Sequence, residues 1–311
     1  MSGASLKHLL GLNGVSKEVI TRILDTAEEF LKILDRPIPK VPSLRGITVA
    51  NIFMEASTRT RISFELAEKR LSADVVNFSA SGSSVSKGET LLDTVRNIEA
   101  MRIDIVVIRH FASGAPQFLK ERISSRIINA GDGLHEHPTQ ALLDMMTIRR
   151  TLNRLDGLKV VILGDIAHSR VARSNIYGLK TMGAEVLLCA PPTLMPMDVE
   201  AMGIDVTYDL DEALAWCDVV NVLRLQMERQ KQGYLPTLRE YQAHYGLTKK
   251  RLMKADKDIM VLHPGPINRG IELDSNVADA PGSTILQQVT HGVAVRMAVL
   301  AMISGETPEN D

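Results

Sequence analysis

Apolar residues recur along the chain in short blocks, and the spacing within each block sets the element expected there. Behind Ser16, a residue type that caps helix starts, Val19, Ile20, Ile23, Leu24, Ala27, Phe30, Leu31 and Leu34 follow a 3.6-residue period until Pro37 and Pro39 close it. Residues 47–53 (Ile-Thr-Val-Ala-Asn-Ile-Phe) are a compact apolar run read as a buried strand, after which Ile62, Leu66, Arg70 and Leu71 recur at helical spacing. Short strands follow at 74–78, 103–108 and 127–130. Helices are predicted at 89–101 and at 137–150, the latter offering Leu142, Leu143, Met146 and Ile148 to a core. A second strand series occupies 159–165, 185–190, 218–223 and 258–263, with a helix at 171–182, and the last helix, 285–303, is apolar on several faces. Strands alternating with helices argue for an α/β protein of two doubly wound parallel-sheet domains.

Composition narrows the functional classes. The 311 residues are 45% hydrophobic and 23% charged with a net charge of −1, which suits a soluble two-domain protein and gives no global attraction to nucleic acid or an anionic membrane. No stretch reaches the roughly 18 uninterrupted apolar residues of a membrane span, and the N-terminus does not read as a targeting signal. Cys189 and Cys217 sit in apolar contexts without paired spacing, so a reduced, cytoplasmic setting is expected and neither a metal nor a cofactor is called for.

The chemistry collects at strand ends. Six of them deliver polar groups: Phe53 leads to Ser57, Ile108 to Arg109, Ala130 to His137, Asp165 to Arg170, Leu223 to Arg224 and Leu262 to His263. Open α/β sheets bind ligands beyond the carboxyl ends of their strands. At the first end, Ser57-Thr58-Arg59-Thr60-Arg61 opens a helix, where unpaired backbone N–H groups and partial positive charge combine with hydroxyl and guanidinium donors to surround an anion, so a phosphate ligand is implied. Arg109, Arg170 and Arg224 add planar forks suited to phosphate or carboxylate. Residues 79–90, dense in serine and glycine, predict a mobile loop carrying Lys87. Val160-Val-Ile-Leu-Gly164-Asp165 resembles the opening of a dinucleotide site but lacks Gly-x-Gly-x-x-Gly and has Arg170 where that turn wants glycine, which disfavours an oxidoreductase.

Ser57-Thr58-Arg59-Thr60-Arg61, His137-Pro138-Thr139-Gln140 and His263-Pro264-Gly265-Pro266 together resemble, in order and spacing, the motifs of the transcarbamoylase family over about residues 46–302. The resemblance implies a carbamoyl phosphate-binding domain of residues 1–138, completed by a returning helix at 290–311, and an amino-acid-binding domain of residues 139–289, joined by interdomain helices and contributing to one closing cleft. It assigns Ser57, Thr58, Arg59, Thr60 and Arg109 to the phosphate, and Thr60, Arg109 and His137 to the carbamoyl oxygen. The carbamoyl amino group falls to Gln140 and the backbone of Pro264, Gly265 and Pro266. Arg59, Thr60, Arg109 and His137 are the implied catalytic groups. Arg170, Arg224 and Gln226 are implied for the carboxylates of aspartate. Ser83 and Lys87 are implied to reach the site of a neighbouring subunit in a homotrimer, although Ser86 stands where some members carry a basic residue.

The activity implied is transfer of a carbamoyl group from carbamoyl phosphate to the amine of L-aspartate, the committed step of de novo pyrimidine (UMP) biosynthesis. Ornithine is the alternative acceptor. Members that use it typically carry His-Cys-Leu-Pro where this chain has His263-Pro264-Gly265-Pro266, and Arg224-Leu225-Gln226 supplies a cation for a second carboxylate. The family also assembles with regulatory chains or with dihydroorotase, and the sequence does not choose between these partners.

Overall fold

The apolar run at residue 48 nucleates the first sheet of the computed structural model, which describes residues 6–79, 88–197, 199–227 and 237–305. Ser83, Ser86 and Lys87, and with them the loop expected at their positions, lie outside the described residues. Two compact units divide the chain: Met1–Leu143 with Thr290–Asp311, and Asp144–Val289.

In the first unit, β1 (Thr48–Phe53) is buried from Val49 onward and pairs in parallel with β2 (Asp74–Ser79) on one side and β3 (Ile105–His110) on the other. β4 (Arg126–Asp132) adds to β3, giving the order β2-β1-β3-β4. α1 (Lys17–Leu34) is capped by Ser16, whose hydroxyl accepts from the Val19 N–H, and it buries Ile20, Ile23, Leu24, Ala27, Phe30 and Leu31. That face matches the apolar period. α2 (Thr58–Arg70) forms as expected, but Ile62 and Leu66 are 48% and 41% exposed. Its packed stripe is instead Thr60, Ser63, Phe64, Ala67 and Glu68, and Asn51 of β1 meets that stripe by donating from Nδ2 to Glu68 Oε2 at 2.7 Å. A half-polar core face defeats a reading that follows apolar residues alone. α3 (Leu91–Glu99) starts at Thr90, whose hydroxyl accepts from the Asp93 N–H. α4 (Ala115–Lys120), too short to show a period, precedes β4. α5 (Pro138–Leu152) follows it, with Leu142, Leu143, Met146 and Ile148 all buried.

The second unit is built on five parallel strands, β5 (Lys159–Leu163), β6 (Glu185–Cys189), β7 (Asp205–Thr207), β8 (Val219–Val222) and β9 (Met260–Leu262), in the order β7-β6-β5-β8-β9. α6 (Arg170–Thr181) joins β5 to β6, and α7 (Leu210–Trp216) packs Leu210, Ala213 and Leu214 against Val161, Leu163, Val220 and Val222. α8 (Leu238–Tyr245), α9 (Lys249–Lys254) and α10 (Ser275–Ala278) complete this unit. Together with α4, β7 and α7 they escape a periodicity reading because each is eight residues or shorter.

α11 (Ile285–Ser304) is, among the described residues, the one helix long and apolar enough to cross a membrane, yet most of it is buried inside the fold. Arg296 explains why it is a core helix. Its side chain is buried, donates from Nη1 to Ser63 Oγ at 2.9 Å, and lies 5.1 Å from the centre of the Phe64 ring.

Candidate active site

Each sheet reverses its winding direction at one place. In the first unit the reversal lies between β1 and β3, and in the second between β5 and β8. Such switch points open a crevice at the carboxyl ends of the two strands, because the connections leave in opposite directions. The segment leaving β1 carries Ser57–Thr60 and the carboxyl end of β3 carries Arg109, while the segments leaving β5 and β8 carry Arg170 and Arg224.

In the first unit, Ser57 is the residue before α2 and has extended backbone (φ −161°, ψ 97°), yet its hydroxyl makes no capping hydrogen bond. The first turn of α2 holds no acidic residue, so its N–H groups and its dipole face whatever anion approaches. Thr58 and Arg59 are exposed, Ser57 is partly so, and Thr60 is buried at the turn. Arg109, near the end of β3, is nearly buried. It donates from Nη1 to Ala130 O at 3.1 Å and from Nη2 to Glu55 Oε1 at 3.3 Å, contacts that hold the fork between β1 and β4. Its neighbour His110 serves the loop instead: Nδ1 accepts from the Ala112 N–H at 2.9 Å, and burial holds its pKa below the ordinary histidine value.

His137 and Gln140 open α5, both buried, and the Gln140 N–H donates to His137 O at 3.0 Å. The approach to His137 is tied down by carboxylates. Asp132 Oδ2 accepts from the Gly114 N–H at 2.7 Å and Oδ1 from Asn129 Nδ2 at 2.7 Å, while Glu136 Oε2 accepts from the Leu12 N–H at 2.7 Å.

In the second unit, Arg170 is the first residue of α6 and is buried, with Ser169 capping the helix by accepting from the Ala172 N–H. Arg224 is half-buried and its Nη1 reaches Gln226 Oε1 at 3.5 Å. Asp165, fully buried at the end of β5, organises the region between them. Its Oδ2 accepts from the Gln226 N–H at 3.2 Å and its Oδ1 lies 2.6 Å from His168 Nδ1. Pro264, Gly265 and Pro266 follow β9, and Gly265 has φ +64°, a left-handed conformation that glycine adopts without strain.

Ser57, Thr58, Arg59, Thr60, Arg109, His137 and Gln140 therefore fall in the first unit, and Arg170, Arg224, Gln226 and Pro264–Pro266 in the second. Glu55, Glu136 and Glu272 are polar partners that sequence reasoning missed, since each acts on a neighbour that only the fold brings near. Among the described residues no cluster of histidine, cysteine and carboxylate side chains could hold a metal ion.

Comparison with known proteins matches this division of chemistry. Residues 7–150 fit the family described as aspartate/ornithine carbamoyltransferase, carbamoyl-P binding domain, and residues 156–303 the corresponding Asp/Orn binding domain. The aspartate carbamoyltransferase catalytic subunit of Gemmatimonas aurantiaca is 60% identical over 99% of this chain and 97% of its own length. Among solved structures, the catalytic subunit of M. jannaschii aspartate transcarbamoylase superposes with a TM-score of 0.83 at 36% identity, covering 96% of this chain and 98% of that one. An aspartate transcarbamoylase of Trypanosoma cruzi, in complex with carbamoyl aspartate and phosphate, gives 0.86 at 32% identity over 96% of each chain. With both of its halves matched by family models and its full length by relatives, the chain belongs to the aspartate/ornithine carbamoyltransferase family.

Proposed function

We propose that the chain is the catalytic subunit of an aspartate carbamoyltransferase, making N-carbamoyl-L-aspartate and phosphate from carbamoyl phosphate and L-aspartate. The observation that carries the donor half is the start of α2, where the Ser57 hydroxyl makes no capping bond beside an acid-free helix terminus and Arg109 lies near the end of the adjoining strand. The acceptor half rests on Arg170 and Arg224 at the β5/β8 switch point, two guanidinium groups for a substrate with two carboxylates. Relatives named for aspartate, 55–60% identical over nearly the whole chain, support the same acceptor over ornithine.

In this reading the aspartate amine attacks the carbamoyl carbon. A C–N bond forms, negative charge develops on the carbamoyl oxygen, and the bond to the phosphate oxygen then breaks. The amine is itself the nucleophile and its proton leaves with the departing phosphate, so neither a protein nucleophile nor a protein base is required. Thr60, Arg109 and His137 donate hydrogen bonds to the developing oxyanion, each such donor contributing about 2.7–4 kcal/mol. Holding two reactants in line removes roughly 7–11 kcal/mol of barrier in favourable cases. Ser57, Thr58 and Arg59 hold the phosphate, Gln140 and the backbone of Pro264–Pro266 the carbamoyl amino group, and Arg170, Arg224 and Gln226 the aspartate. The reaction is the committed step of de novo pyrimidine synthesis.

We place the chain in the cytoplasm as a homotrimer whose Ser83 and Lys87 serve a neighbour's site. The free thiols Cys189 and Cys217, both pushed up to about 12 by burial, suit a reducing compartment. The exposed apolar pair Ile62 and Leu66, one turn apart on α2, suits a covered face.

The test is product analysis with carbamoyl phosphate and, in separate reactions, L-aspartate or L-ornithine. N-carbamoyl-L-aspartate is expected. Citrulline would preserve the phosphate half and overturn the roles of Arg170 and Arg224, and absence of both products would overturn the reading.

A further inference from the structure

Glu272 is completely buried, takes no part in the chemistry above, and fastens together two backbone segments of the second unit, one assigned to the carbamoyl amino group and one to aspartate. His263 is the hub. Its Nδ1 lies 2.8 Å from the Gly265 backbone nitrogen, which can only donate, so Nδ1 accepts and the ring proton belongs on Nε2. Nε2 then donates to Glu272 Oε1 at 3.2 Å. The same carboxylate oxygen accepts from the Asn268 N–H at 2.6 Å, and Asn268 Nδ2 donates onward at 3.4 Å to the carbonyl of Leu225, the residue between Arg224 and Gln226. From the opposite side the His263 N–H donates to Gln288 Oε1 at 3.0 Å. Gln288 Nε2 in turn donates at 2.8 Å to Asp144, itself buried and also bonded by Asn175 and Asn221. The turn from 263 to 268 is thus held at three backbone nitrogens, two of them through Glu272 and the imidazole.

A second observation separates this arrangement from ordinary core packing. Glu272 Oε2 is buried without a hydrogen-bond partner among the described residues. Leaving one oxygen of a buried carboxylate unsatisfied is unfavourable, and a well-packed apolar side chain would serve stability better. Such a cost is expected where geometry, rather than stability, is what the residue supplies.

We propose that Glu272 is a positioning residue for the substrate-binding segments of the second unit. Through His263 it sets the Pro264–Pro266 backbone assigned to the carbamoyl amino group, and through Asn268 it sets the Arg224–Gln226 segment assigned to aspartate. The proposal rests on the aspartate carbamoyltransferase reading.

The experiment compares wild type, Glu272→Ala and Glu272→Gln by steady-state kinetics with both substrates varied, by calorimetric titration with inorganic phosphate, and by thermal melting. Glutamine keeps an oxygen able to accept from both N–H groups, so E272Q is expected to stay within about threefold of wild type. E272A is expected to lose on the order of 10–100-fold in kcat/KM for aspartate, the scale of a sub-ångström to 1 Å misplacement of a binding group. Phosphate affinity, carried by groups of the first unit, is expected to change by less than about twofold. Unchanged aspartate kinetics in E272A overturn the proposal. So does a parallel loss of phosphate binding, or an E272Q as impaired as E272A, because neither follows from lost hydrogen-bond acceptance in the second unit. Should E272A fail to fold, Asn268→Ala, which removes only the bond to Leu225 O, is expected to raise KM for aspartate severalfold and leave KM for carbamoyl phosphate alone. An unchanged KM for aspartate there overturns the proposal. A wild type that makes no N-carbamoyl-L-aspartate overturns the underlying reading as well, whereas an active wild type with an indifferent Glu272 overturns this inference alone.

Discussion

Glu68 shows how a single side chain of α2 carries a pH dependence. It lies on the buried face of α2, with Oε2 accepting from Asn51 Nδ2, and its pKa is pushed up to about 8. Burial is the main cause; the Asn51 bond opposes it, and nearby Glu65 adds to it. An unfolded glutamate releases its proton near 4.5, so between that value and about 8 the unfolded chain binds fewer protons than the folded one. Stability contributed at this site therefore falls as pH rises through that window, by on the order of 1.4 kcal/mol per unit. Glu68→Gln keeps an acceptor for Asn51 and abolishes the ionisation. Denaturant melts are expected to show the variant close to wild type below pH 4.5 and increasingly more stable toward pH 8. A difference that stays constant with pH would contradict this account. The same residue marks a limit of legibility. A glutamate in Phe64-Glu65-Leu66-Ala67-Glu68 reads as a solvated charge, and only the neighbouring strand, which supplies Asn51, turns that face inward.

At the level of elements, strands were legible wherever β-branched and aliphatic residues ran together, as in β1, β3, β5 and β8, and helices wherever an apolar stripe was long, as in α1 and α11. The position of functional groups after strand ends was legible for the same reason. Strand order was not, because pairing β1 with β3 or β5 with β8 depends on contacts distant in sequence, and it is that order which creates the switch points. Nor was the N-terminal segment legible as a neighbour of β4 and of Glu136. Leu9 N–H donates to Ile127 O and Leu9 O accepts from the Asn129 N–H, laying this segment beside β4, while Glu136 accepts from the Leu12 N–H at 2.7 Å and from the Asn13 N–H at 3.3 Å. Gly11 is needed here for space: a Cβ would lie 2.2 Å from Glu136 Oε1. Gly11→Ala must expel a buried carboxylate from two N–H partners, an expected loss of about 2–3 kcal/mol in chemical denaturation. Glu136→Ala removes the obstruction, so the double variant is expected to fall well short of additive. Additive losses would mean that the glycine and the carboxylate do not meet.

At the scale of the whole molecule, the assignments of Ser83 and Lys87 make a claim that no single chain can satisfy. If each site takes Arg59 from one subunit and Lys87 from its neighbour, then Arg59→Ala and Lys87→Ala proteins, each inactive alone, complement one another when dissociated, mixed and reassembled. The arithmetic follows from cyclic symmetry. In an equimolar random mixture a site is intact only when its Arg59 comes from the lysine variant and its Lys87 from the arginine variant, which happens for about one site in four. Recovered activity is therefore expected near a quarter of wild type, concentrated in the mixed trimers, each of which holds one intact site whichever variant is in the majority. A site completed within one chain predicts none, because every chain in the mixture lacks one of the two groups. Mixed trimers, identified by mass or by a charge tag on one variant, that remain as inactive as their parents would remove the shared site while leaving the first-unit phosphate groups untouched. Phosphate titration of the same mixtures makes that separation explicit. Arg59→Ala chains should bind phosphate weakly in any assembly, since their loss lies at the start of α2, whereas Lys87→Ala chains should regain whatever affinity a neighbour's lysine supplies.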